Sequence, residues 1–191
     1  MRVFVLALLL CLLAGCGEPP RFNATDIRGS GLGADFSLTD HHGKQRRLAD
    51  FRGKAVILFF GYAHCADICP TTLTTLGQAV TLLGAEAQQV QVLFVTLDPQ
   101  RDSAALLSRY VPAFNASFLG LRGDQANTEA AVRAFRAFDK QQPGTTPDSY
   151  TIDHTSGSYV FDPQGRVRLY LRNGETPAQI AADLKLILSG K

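Results

Sequence analysis

The apolar positions of this chain follow two different rhythms. Residues 56–60 and 90–97 are nearly unbroken apolar runs. Runs of that length and composition predict strands buried on both faces, in the middle of a sheet covered by helices. Residues 70–83 between them predict a helix. Residues 102–110 predict another, with Asp102 as its N-cap. Residues 129–138 predict a third, with Phe135 and Phe138 on its apolar side. Short strands at 34–38 and 45–48 flank the polar turn from Asp40 through His41 and His42 to Gly43.

The C-terminal part is the most regular. Residues 159–161, a turn over 162–165 and residues 167–171 predict a hairpin. Val167, Leu169 and Leu171 face one way, and Arg166, Arg168 and Arg172 the other. Thr176, Pro177 and Gln179 then supply a cap, a first-turn proline and a capping-box glutamine. Ile180, Leu184, Ile187 and Leu188 make the buried stripe of the helix they open. This order of elements is that of a thioredoxin-like fold: an α/β domain with a central mixed sheet flanked by helices, expected over residues 34–191.

The beginning of the chain is different. Arg2 precedes an apolar and small run over residues 3–14, too short to span a bilayer as a mature helix. A charge before a short apolar core is the secretory signal pattern. The run closes on Leu13, Ala14, Gly15 and Cys16, which resembles the bacterial lipobox, whose cysteine is lipidated and becomes the new N-terminus. A plain secretory signal with an incidental cysteine is the alternative. Residues 16–33 are polar and proline-containing, without periodicity, and read as a tether. The expectation is a signal over 1–15, a lipid-anchored tether over 16–33, and an exported domain held at a bacterial membrane, facing the periplasm or the cell exterior.

Charge narrows the function classes. The formal net charge is +2, with no basic run and no arginine-rich stripe, so nothing points to nucleic acid. Of the four cysteines, Cys11 would leave with the signal and Cys16 would carry lipid. Cys65 and Cys69 remain as a lone close pair in an oxidising compartment. Such a pair is a disulfide, a redox site or a metal site.

The pair sits where a strand turns into a helix. Pro70 suits the first helical turn and places Cys69 at a helix N-terminus, which favours thiolate. Three residues separate the thiols, a wider bite than the two of a typical disulfide exchanger. Thiolates are soft ligands that select Cu(I), zinc or iron–sulfur clusters. Of the four histidines, His41 and His42 lie in the polar turn and are expected in solvent. His64 adjoins Cys65, and neighbours in a turn point apart. His154 follows the polar loop over 140–149 and precedes the hairpin that packs beside the central strand. In a thioredoxin-like fold that loop faces the cysteine turn, so His154 can reach the thiols. The segment 152–159 has no proline and offers His154, which favours metal over disulfide exchange.

At these residues the chain resembles the Sco/SenC family of copper-binding proteins. Three motifs carry the resemblance, in order: residues 59–73 around Cys65 and Cys69, residues 95–102 with Asp98, Arg101 and Asp102, and residues 150–155 with Asp153 and His154. One departure is visible: the family usually has proline where this chain has Ala66. The resemblance implies that Cys65, Cys69 and His154 are copper ligands. It implies a partner in the copper-bearing subunit of cytochrome c oxidase, at its Cu(A) centre, or in another copper chaperone. Asp153 is expected to orient His154 by accepting its second ring N–H, with a plain surface carboxylate as the alternative. Asp98, Arg101 and Asp102 read as a loop ion pair and a helix cap, with Asp98 as an alternative part of a docking surface. The competing function is a thiol–disulfide oxidoreductase or thiol peroxidase, with Cys65 and Cys69 as its redox-active pair.

Overall fold

The computed structural model describes residues 21–33, 35–146 and 149–191. The expected signal, Cys16 and the start of the tether lie outside them. The described residues form β1 (Thr25–Asp26), β2 (Leu38–Asp40), β3 (Gln45–Arg46), β4 (Ala55–Gly61), α1 (Ile68–Leu82), β5 (Val90–Thr96), α2 (Ala104–Tyr110), β6 (Leu119–Arg122), α3 (Gln125–Ala134), β7 (Asp139–Gln142), β8 (Thr151–His154), β9 (Ser158–Phe161), β10 (Val167–Leu171) and α4 (Pro177–Leu188).

The main sheet has the order β1-β10-β9-β4-β5-β6-β2-β3. Its centre is the pair of apolar runs. β4 and β5 lie parallel, pairing Ala55 with Val90 through to Gly61 with Thr96, and β9 runs antiparallel on the other side of β4. All seven residues of each central strand are buried. Each large side chain so buried stabilises by about 1.5–3 kcal/mol before entropy is charged against it. Phe135 closes the core from the end of α3, edge-on to Phe60 at 5.4 Å and to Tyr159 at 5.1 Å. Helix α4 packs against α1 and carries the expected capping box, with Thr176 Oγ1 accepting from Gln179 N–H and Gln179 Oε1 accepting from Thr176 N–H. This mixed sheet flanked by helices is a thioredoxin-like fold.

Four local expectations are corrected. Helix α3 begins at Gln125, where Asp124 caps it by accepting from Asn127 N–H at 2.8 Å. The chain leaves it at Phe135, and Arg136 adopts a left-handed φ of 47°. Phe138 is therefore off any helical face and 56% exposed. Helix α2 is capped by Ser103, whose hydroxyl accepts from Leu106 N–H, and Asp102 turns inward instead. His41 is buried, because its Nδ1 accepts the backbone N–H of Gly120 at 3.0 Å. Arg168 is also buried: the register slips between Val167 and Leu169, and its guanidinium pairs with Asp162 and the Lys191 carbonyl.

The segment read as a long polar loop holds another strand. β7 pairs with β8 in a separate two-stranded ribbon, Asp139 opposite His154. β7 is mostly exposed, so no apolar alternation marks it. No helix among the described residues is long and apolar enough to cross a membrane.

Candidate metal centre

The end of β4 delivers the chain into the turn before α1. Leu97 N–H donates to the Gly61 carbonyl at 2.7 Å, so β4 and β5 end together beneath this turn. Gly61 is required by close approach: a Cβ there would lie 2.7 Å from Cys69 Sγ and 2.9 Å from Phe94 Cε2. α1 starts at Ile68 and takes Cys69 into its first turn, with Pro70 following where a missing N–H costs nothing. Cys69 is fully buried and Cys65 half-buried, and both are free thiols.

The ribbon brings in the third group. His154, at the end of β8, places Nε2 3.4 Å from Cys69 Sγ. One donor atom from each of Cys65, Cys69 and His154 lies within 4.8 Å of the others. The ring is walled edge-on by Phe59 and Tyr62, centroids 6.1 Å and 6.0 Å away. Tyr62 also fixes the ribbon, its hydroxyl accepting from Ile152 N–H at 3.3 Å.

The tautomer of His154 follows from its neighbours. Nδ1 lies 2.9 Å from the Thr155 carbonyl oxygen, which can only accept, so Nδ1 carries the proton. Nε2 then presents its lone pair to the sulfur. Asp153 plays no part in this: on the alternating strand it points elsewhere and accepts from Gln142 Nε2. Burial holds the imidazole below its ordinary pKa, against the opposing pull of the Thr155 carbonyl. It is neutral and ligand-ready at pH 7.

The thiols depart from expectation in one respect. Burial pushes the Cys69 thiol far above its ordinary range. Being inside the first turn, it has lost water on all sides, and this outweighs the helix end. The helix-end N–H of Cys69 points instead at Cys65 Sγ, 3.4 Å away. A metal reverses this balance, because coordination deprotonates a thiol outright. Two sulfurs and one neutral imidazole suit Cu(I) through the thiolates, and the imidazole adds capacity for Cu(II).

The remaining motif residues brace the ribbon and the turn. Arg101 pairs with Asp98, donates to the Tyr150 carbonyl at 3.0 Å, and stacks its guanidinium 3.5 Å from the Tyr150 ring centroid. The Tyr150 hydroxyl donates to Asp98 at 2.7 Å. Burial and this acceptor raise the phenol to about 12. Asp102 Oδ2 accepts from Ala63 N–H and from the Thr96 hydroxyl. His64 stands outside the thiol group, its Nδ1 3.4 Å from Asp102 Oδ1. The bracing roles of Tyr62, Tyr150 and Asp102 were missed from sequence, although all three lie inside the quoted motifs.

Comparison with known proteins agrees with this geometry. The SCO1/SenC family model matches residues 24–189. The mitochondrial Protein SCO2 homolog of Bos taurus is 38% identical over 162 residues, covering 83% of this chain and 61% of its own. The human mitochondrial Protein SCO1 homolog is 31% identical over 160 residues, covering 81% of this chain and 53% of its own. The chain thus spans about three-fifths or less of these curated relatives. Among solved structures, Bradyrhizobium japonicum ScoI with copper bound is 36% identical at a TM-score of 0.77, covering 82% of this chain and 99% of that one. Yeast Sco1 with copper bound is 31% identical at a TM-score of 0.77, covering 84% and 90%.

Proposed function

The chain belongs to the SCO1/SenC family, and from that premise we propose that it is a copper metallochaperone whose cargo is held by Cys65, Cys69 and His154. One observation carries the reading: these three side chains, from two distant segments, converge within 4.8 Å with the imidazole lone pair turned inward. Two similar proteins are described with copper bound. Family membership supports, as recipient, the copper-bearing subunit of cytochrome c oxidase at Cu(A), directly or through another copper chaperone. The leader pattern supports export and lipidation at Cys16, with the domain held at a bacterial membrane and facing the periplasm or the cell exterior. β1 and the family match support a start of that domain near residue 24 rather than 34.

The site's parts would divide the work of holding cargo. The half-buried Cys65 is the accessible thiol, suited to meeting an incoming or outgoing ion first. Cys69, sealed behind it, and the half-buried His154 would complete the hold on the ion. The Thr155 carbonyl keeps the imidazole in the coordinating tautomer.

A second reading is a thiol–disulfide oxidoreductase using the same pair, and both thiols are free. In that reading the half-buried Cys65 would be the attacking thiol and the buried Cys69, whose pKa burial raises, the resolving one.

His154→Ala separates the two. Cu(II) needs nitrogen and more than two ligands, whereas Cu(I) can stay on two thiolates. Cu(II) binding should collapse, Cu(I) binding should persist in weakened form, and the Cys65–Cys69 disulfide should still form and reduce. An unchanged Cu(II) spectrum and affinity in the folded variant would remove His154 from the ligand set and put the oxidoreductase reading first.

A further inference from the structure

Beside the thiol group lies a second set of donors that the proposed copper site does not use. His64, Asp98 and Asp102 each offer one ligand atom, and these atoms lie within 4.8 Å of one another. The telling group is the Asp102 carboxylate, which is fully buried. Its Oδ2 is satisfied by Ala63 N–H at 2.9 Å and by the Thr96 hydroxyl at 2.6 Å. Its Oδ1 is sealed from solvent and has no hydrogen-bond donor. A buried carboxylate oxygen left in that state is costly, so something is expected to face it.

What faces it is the ring of His64, with Nδ1 at 3.4 Å. That separation is long for a hydrogen bond. It suits two ligands of one ion: donors each about 2.1 Å from a shared tetrahedral metal stand about 3.4 Å apart. Asp98 is the third donor within reach, but it is already compensated. Its Oδ1 accepts from the Tyr150 hydroxyl and from Arg101 N–H, and its Oδ2 pairs with the Arg101 side chain. Asp98 therefore lends negative potential, partly offset by Arg101, and water completes the coordination shell. The His64 side chain is 48% exposed, whereas the Asp102 side chain it faces is sealed. Rotation of this exposed ring opens the path for an ion.

We propose that His64 and Asp102 form a second cation site, next to the thiol group, for a borderline divalent ion such as Cu(II) or Zn(II). An imidazole nitrogen with a carboxylate oxygen suits such ions, whereas Cu(I) prefers the thiolates. The site shares no ligand with Cys65, Cys69 and His154, so it stands or falls separately from the copper reading. It is nonetheless built on the same turn: His64 adjoins Cys65, and Asp102 holds the backbone of Ala63.

The test uses the full chain carrying Cys65→Ser, Cys69→Ser and His154→Ala, titrated with Cu(II) alone and followed by calorimetry and electron paramagnetic resonance. About one Cu(II) should bind, with nitrogen and oxygen ligation and no thiolate charge-transfer band. Adding His64→Ala should abolish uptake, Asp102→Asn should weaken it ~10-fold or more, and exposed His42→Ala should leave it unchanged. Failure of the folded triple variant to take up Cu(II), or uptake that survives His64→Ala, would overturn the proposal. If the triple variant does not fold, the wild-type chain preloaded with one Cu(I) is titrated with Zn(II). A bound Zn(II) that is lost on His64→Ala supports the site, and no bound Zn(II) overturns it.

Discussion

His154 and His41 show how one backbone contact sets the state of an imidazole. In His154 the Thr155 carbonyl fixes the proton on Nδ1, whereas in His41 the Gly120 N–H forces Nδ1 to stay unprotonated. Burial, the largest cause for each, holds both pKa values below the ordinary value of 6.5. The sign for stability follows. Between the folded and unfolded pKa values the unfolded chain binds more protons, so stability rises with pH in that window. The contribution is fully present above about pH 6.5 and is lost as pH falls through the folded values. Urea unfolding of the metal-free protein from pH 7.5 to 5 should show this acid loss. His41→Asn, which keeps an acceptor for Gly120 N–H but cannot titrate, should make the slope shallower, and an unchanged slope would contradict the assignment. The sequence marks His154 by its place in the loop that enters the hairpin beside the central strand, facing the cysteine turn, and by the family motif it lies in. It could not mark His41, whose burial depends on a partner 79 positions away.

The elements were legible in proportion to how far burial shaped them. β4, β5 and α4 follow from apolar runs and a capping box, and they appear within a residue or two of the expected bounds. β7 escaped because an exposed edge strand has no reason to alternate. The expected α2 begins early and the expected α3 lies late, because Asp102 and Phe138 fit a helical pattern that tertiary contacts override. Asp102 is needed inward at the cysteine turn, and the left-handed Arg136 diverts the chain before Phe138. The junction of β4 with α1 gives an element-scale test. Gly61→Ala would set a methyl group against Cys69 Sγ and Phe94, both sealed in the core. Overpacking there should cost about 1–3 kcal/mol, seen as a lower denaturation midpoint, and should weaken copper binding by moving the sulfur. A variant as stable as wild type with unchanged copper affinity would show that the turn does not depend on that approach.

At the scale of the whole molecule, the metal group sits at one end of the central strands, assembled from the β4–α1 turn and the β7–β8 ribbon. The N-terminal segment is secured elsewhere. Asn23 N–H and Ala24 N–H donate to the two oxygens of the Asp183 carboxylate on α4, at 2.9 Å and 2.8 Å, and β1 adds to the edge of β10. A tether joined here leaves the domain from a fixed point. If Cys16 is the lipidated residue, Cys16→Ser should release the protein from membranes or leave it unprocessed, as read by fractionation. Normal processing with membrane retention would remove the lipid anchor. The central claim is that two thiols and one imidazole form a copper site, and titration of the reduced chain with Cu(II), watched by ultraviolet–visible absorption, tests it most directly. We expect an intense thiolate-to-copper charge-transfer band that saturates at one equivalent and disappears in Cys65→Ser, in Cys69→Ser and after oxidation to the disulfide. Weak d–d bands alone, with no thiolate transition, would contradict it.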